Sequence, residues 1–162
     1  MEASLRPLRL DIGAVRPAEH LGPGWTAVDA YGDPDIKAMM WALPYADNVV
    51  AQIYSSHALE HIGKYQILPT LQEWRRVLQP AGLLTLQVPD LEWCCRHWLT
   101  HPTNGWDLDI IYGLQTDEGQ FHKTGFSEAM LKWYVENVGF KMVDFSRMET
   151  HAQMTMQIVG MK

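Results

Sequence analysis

Short apolar runs alternate with stretches of helical spacing along this chain, the signature of βα units built around a parallel sheet. Residues 8–12 (LRLDI) and 25–29 (WTAVD) predict the first two strands. The connection between them, residues 14–24, is rich in Pro and Gly and reads as a loop rather than a crossover helix. A short third strand is expected within residues 35–40. The β-branched run at 49–55 predicts a fourth. A helix is expected over 68–78, where Leu71, Trp74, Val77 and Leu78 fall on one face, with Pro69 in its first turn and Pro80 beyond its end. Residues 83–88 (LLTLQV) are nearly all apolar and predict a buried fifth strand, followed after Pro89-Asp90 by a helix over 91–99.

Residues 101–124 show no clear period, and a long irregular segment inside a small domain is usually functional. It reads as a lid. Ser127 is placed to cap a helix running to about residue 138, with Gly139 closing it. Two last strands follow, at 140–148 and 153–161. Their connector, 149–152, is so short that the two must pair antiparallel. The expected architecture is therefore α/β, with a Rossmann-like, mostly parallel seven-stranded sheet. It ends in a C-terminal antiparallel strand pair and carries helices on both faces. One domain should span residues 1–162, with the irregular lid-like segment at about 101–124.

Composition narrows the function classes. The chain has 162 residues, 47% hydrophobic and 20% charged, as in a folded globular domain. Its formal net charge is -6 and no basic run interrupts it, so nucleic-acid binding is not expected. Cys94 and Cys95 are adjacent, a spacing at which disulfide geometry is strained, and two free thiols suit a reducing, cytoplasmic setting. No apolar stretch reaches the roughly eighteen residues of a membrane span, and residues 1–10 hold no signal core.

Candidate chemistry sits at the carboxyl ends of the expected strands, where open α/β sheets bind ligands. Gly13 follows the first strand and lets backbone approach a ligand. Asp29 ends the second, and a carboxylate there can accept both hydroxyls of a ribose. Ser56 and His57 follow the fourth. His122, at the end of the irregular segment, is a second histidine suited to proton transfer. One competing motif is His57-Ala58-Leu59-Glu60-His61, which matches H-x-x-E-H and raises a zinc hydrolase as a remote alternative. That reading needs a long helix and a third ligand. Gly63 and Pro69 follow too closely for the helix, and no metal ligand is assigned.

An ordered set of segments spans nearly the whole chain: Leu10-Asp11-Ile12-Gly13, Pro23 to Asp29, Ala42 to Asn48, Ser56 to His61, Glu73 to Gly82, Val88-Pro89-Asp90, His122 to Phe126, and Val138-Gly139-Phe140. Together they resemble the class I S-adenosylmethionine-dependent methyltransferases, in a compact, type 11-like subgroup. The resemblance implies S-adenosylmethionine as cofactor and S-adenosylhomocysteine as product. It places Asp11, Gly13, Asp29, Met39, Met40, Ser56 and His57 at the cofactor, with Met39-Met40-Trp41 beside the adenine. His57 and His122 are the implied catalytic bases, and a small or sugar-linked molecule is the implied methyl acceptor. No membrane partner is expected and a homodimer is left open. Two positions depart from the family pattern. Val15 stands where a second glycine is usual, and Met39 stands where an acid would meet the adenine amine. A catalytically inactive binding or regulatory module is therefore the main alternative.

Overall fold

The computed structural model describes residues 7–17, 21–150 and 153–162. Its strands are β1 (Leu8–Ile12), β2 (Trp25–Asp29), β3 (Ile36–Lys37), β4 (Val50–Ser56), β5 (Leu78–Pro89), β6 (Lys141–Thr150) and β7 (Gln153–Met161). The helices are α1 (Lys64–Val77), α2 (Leu91–Thr100), α3 (Gly105–Tyr112) and α4 (Glu128–Asn137). The strands form one sheet in the order β3-β2-β1-β4-β5-β7-β6. Pairs among β1 to β5 are parallel, while β7 runs antiparallel to both β5 and β6. The expected reversed strand is thus β7, one place in from the edge. Part of its connector to β6 lies outside the described residues.

Strand alternation sorts the sheet into two faces. Leu10, Ile12, Ile53, Leu84 and Leu86 point to one of them and form a single core cluster with Ile67, Leu71 and Trp74 of α1 and Leu131 and Val135 of α4. The opposite face carries Trp25, Gln52 and Tyr54, all half-exposed. Among the described residues, the connections after β1, β2 and β3 contain no α-helix.

Three boundaries differ from the sequence expectation for local reasons. Helix α1 begins at Lys64, so Pro69 lies inside it. Gly63 makes that early start workable, because its N–H donates to Oε1 of Gln66 and its carbonyl accepts the Gln66 N–H. The missing Pro69 donor then strands only the carbonyl of Tyr65, at the exposed end of the helix. The turn expected at 80–82 is present, but as a bulge within β5. Pairing with β4 jumps from Val50↔Leu78 to Gln52↔Leu83, and Ala81 takes φ 63°. The segment read as irregular contains α3, capped by Asn104 through the Trp106 N–H. Among the described residues no helix is long and apolar enough to cross a membrane.

Candidate functional site

The sheet order reverses between β1 and β4, and a cleft of about 810 Å³ opens at the carboxyl ends of the strands flanking that point. The size falls within the roughly 300–1,000 Å³ of ligand sites. Its floor is Gly13 and His57. Asp29, Tyr31 and Gly32 line it after β2, and Met39, Met40 and Trp41 line it after β3. Asp117 to Gln120 and Lys123 close the remaining side.

Gly13 is dictated by two constraints. Its φ is +92°, and a Cβ there would lie 2.2 Å from Cβ of Ala58. The close pass of the β1 loop over the segment after β4 therefore needs this residue type. Its N–H donates to the Val28 carbonyl at 2.9 Å, extending the β1–β2 ladder to the cleft edge. Val15, in place of the usual second glycine, is accommodated from across the cleft. Asp33 donates its N–H to the Val15 carbonyl at 2.9 Å. A Cβ on Gly32 would come within 2.5 Å of that same oxygen. The glycine lost from the first loop is met by one in the second.

Asp29 lies at the end of β2, with its Oδ1 accepting the Tyr31 N–H at 2.6 Å. Burial raises its pKa above the ordinary carboxylate value, while the N–H groups of Tyr31 and Ala30 pull it back down. The carboxylate is held rigid at the cleft wall. Asp35, the nearest acid to the missing adenine-facing one, is committed to the fold, with Oδ2 accepting the Ala27 N–H at 2.8 Å. The Met39–Trp41 segment is fastened to α1 by Trp74, whose Nε1 donates to the Met40 carbonyl at 2.8 Å. Behind it, Arg76 binds the carboxylates of Glu73 and Asp47 at 2.7 and 2.6 Å, while Oε1 of Glu73 accepts the Leu43 N–H at 2.8 Å. This clamp fixes the loop that carries the methionines.

His57 takes φ 51°, a left-handed conformation that costs an ordinary residue about 1–2 kcal/mol. Such strain is typical of functional positions. The backbone is held there by its N–H donating to the Gln87 carbonyl at 3.0 Å. Its Nε2 lies 3.2 Å from the Thr155 hydroxyl and its Nδ1 lies 3.3 Å from Oε1 of Glu60.

Of the residues singled out from sequence, Gly13, Asp29, Met39, Met40 and His57 line the cleft. Asp11, Ser56 and His122 are not among its lining residues. Asp11 is buried within β1. Ser56 points along the sheet, donating to Oε1 of Gln87 at 2.8 Å. His122 borders a separate cavity of about 10 Å³ beneath Glu60, Ile110 and Phe126. Its Nδ1 donates to the Ile110 carbonyl at 2.7 Å, and burial lowers its pKa from 6.5. Gln66 and the 117–120 stretch line the cleft without having been singled out, and His61, weighed from sequence only as a zinc ligand, lines it as well. Their only sequence signal was nearness to His57 and the lack of period in the lid-like segment.

A family profile described as a methyltransferase domain matches residues 26–86, the part of the chain that builds most of this cleft. The fold is that of the S-adenosylmethionine-dependent methyltransferases. Solved structures repeat the architecture around nearly all of this chain. A S-adenosylmethionine-dependent methyltransferase from Methanosarcina mazei is 15% identical, with 95% of this chain and 91% of that one covered at TM-score 0.68. The 1,6-didemethyltoxoflavin-N1-methyltransferase of Burkholderia thailandensis, solved with 1,6-didemethyltoxoflavin and S-adenosylhomocysteine, is 17% identical. It covers 97% of this chain and 72% of its own, also at 0.68. A complex of a methyltransferase with a methyltransferase activator from Haloferax volcanii aligns at 16% identity and TM-score 0.65, over 96% of this chain and 82% of that one. At these identities the likeness is one of fold. No curated protein matches the sequence.

Proposed function

We propose that this chain transfers the methyl group of S-adenosylmethionine to a small-molecule acceptor in the cleft above β1, β2 and β4. The observation carrying this reading is the convergence of Gly13, Asp29, Met39, Met40 and His57 on one cleft at the switch point of the sheet. The residues fit the cofactor. Gly13 brings backbone to the floor with no side chain in the way, Asp29 offers an anchored acceptor to a ribose, and Met39 with Trp41 offers an apolar, polarisable surface to a purine. When bound, S-adenosylmethionine supplies a methyl group made electrophilic by the sulfonium. The chain's part is to orient the acceptor and exclude water. Of the two histidines, His57 is better placed to take an acceptor proton, because it lines the cleft while His122 lies behind the wall. The 117–123 stretch is assigned to the acceptor side, where it completes the enclosure.

A small acceptor is supported by the Burkholderia relative, whose structure holds 1,6-didemethyltoxoflavin. It is also supported by the formal charge of -6, which offers no attraction to a polyanion. The free thiols Cys94 and Cys95 support a reducing compartment. A binding module without catalysis is the second reading, favoured by Met39 in the place of an acid. Calorimetric titration with S-adenosylhomocysteine tests the proposal. Binding is expected, weakened about tenfold or more in Asp29→Ala, the loss of a charge-assisted hydrogen-bonded pair. No heat at millimolar ligand overturns it.

A further inference from the structure

Glu60 is a buried carboxylate in an unusual position. Its residue is 1% exposed, and neither of its carboxylate oxygens has a hydrogen-bond partner among the described residues. Among the described residues, Nδ1 of His57, 3.3 Å from Oε1, is the ion-pair partner that stands near. A buried charge is ordinarily paired, hydrogen-bonded or bound to a metal.

The backbone around Glu60 is tied down separately. The backbone carbonyl of Glu60 accepts the N–H groups of Lys123 and Thr124 at 2.7 and 3.1 Å. Thr124 Oγ1 adds a bond to the Ile62 carbonyl at 2.7 Å. These contacts stitch the turn after β4 to a segment some sixty residues later and bring His122 against His61. The two rings meet edge to face, with centroids 4.7 Å apart. Nδ1 of His61 lies 3.2 Å from the Phe121 carbonyl, and Nδ1 of His122 lies 2.7 Å from the Ile110 carbonyl. A carbonyl at Nδ1 fixes the proton there and leaves the lone pair on Nε2, the usual outer-shell arrangement of a metal-binding histidine. One ligand atom from each of Glu60, His61 and His122 lies within 4.8 Å of the others. A zinc ion, at about 2.0–2.1 Å from each ligand, needs them closer than that. The side chains must therefore contract by an ångström or so on binding. The cavity of about 10 Å³ beside Glu60 and His122 has the scale of a single small ion or water.

We infer that Glu60, His61 and His122 form a binding site for a divalent transition-metal ion at the wall of the cleft. One carboxylate and two imidazoles suit zinc, iron(II) or cobalt(II) rather than magnesium or calcium. The set differs from the H-x-x-E-H reading of the sequence. Glu60 is here a ligand rather than a base, His122 replaces His57, and residues 59–61 form a single 3-10 turn rather than a long helix. His61 lines the large cleft while the other two face the small cavity. An ion between them borders the acceptor side, where an acceptor oxygen could serve as a further ligand. That last clause rests on the methyltransferase reading; the ion site does not.

The test is titration of the chelator-treated, cofactor-free chain with cobalt(II), followed by its visible ligand-field absorption, and with zinc(II) by calorimetry. One equivalent per chain is expected. Affinity should fall at least tenfold in His61→Ala, His122→Gln and Glu60→Gln, and remain unchanged in His97→Ala. The last alters the other histidine–carboxylate pair, His97 with Asp107. Far-ultraviolet circular dichroism separates loss of ligand from loss of fold, and the conservative Gln variants keep the shape. Absence of a cobalt spectrum, or metal binding undiminished in all three ligand variants, overturns the inference. S-adenosylhomocysteine binding, measured separately without metal, reports on the methyltransferase reading alone.

Discussion

At the scale of single residues, the strand-end positions were legible and the residues brought to them from afar were not. Gly13, Asp29 and His57 could be placed from the sequence because each directly follows an apolar run, and the carboxyl end of a parallel strand is where such sheets bind. His61 and the 117–120 stretch enter the cleft through bonds such as Lys123 N–H to the Glu60 carbonyl, which no periodicity encodes. The role of Gly32 as the counterpart of Val15 was hidden for the same reason. Gly13 gives the sharpest residue-level expectation. Gly13→Ala should lower stability by about 2 kcal/mol or more, from left-handed backbone strain plus overpacking against Ala58. Urea denaturation measures it. Adding Ala58→Gly should recover the packing part and leave the backbone part. A neutral Gly13→Ala would show that the loop does not pass where described.

Single elements show the same division. The strands were readable because β-branched and apolar runs stand between turn residues, and their ends shifted by only a residue or two except in β3, which stops at Lys37, and β5, which begins five residues early at Leu78. Helix α1 was shortened in the reading because Pro69 looked like a first-turn residue, whereas the cap that starts it is made by Gln66. Helix α3 was missed because Asn104-Gly105 signals a loop, although Asn104 there accepts the Trp106 N–H as an N-cap. By contrast the α4 cap was legible, and Ser127 Oγ accepts the Met130 N–H at 3.3 Å. Ser127→Ala should cost about 1 kcal/mol in thermal or urea unfolding. The clamp on α1 predicts a pH dependence. The Arg76 guanidinium holds the Glu73 carboxyl below its ordinary value of 4.5. A lowered folded-state pKa stabilises the protein fully above that ordinary value, and the contribution is lost as pH falls below it. The stability gap between the wild type and Glu73→Gln should be constant from pH 7 to pH 6 and narrow below about pH 4.5. A gap independent of pH down to pH 3 would show that the clamp contributes nothing electrostatic.

Across the whole molecule, seven strands in this order and a reversed β7 identify the fold, and among the described residues the connections after β1, β2 and β3 hold no α-helix. Loops rather than helices wall the cleft, so its shape depends on a few anchoring bonds: Asp35 to the Ala27 N–H, Trp74 to the Met40 carbonyl, Asp33 to the Val15 carbonyl. The architecture could be read from the order of apolar runs. The proposed cofactor site, with the ribose of S-adenosylmethionine at Asp29, is best checked by a crystal structure of the chain with S-adenosylhomocysteine. Ribose hydroxyls bonded to the Asp29 carboxylate and the adenine against Met39 and Trp41 are expected. A ligand bound elsewhere, or one whose ribose makes no contact with Asp29, would contradict it.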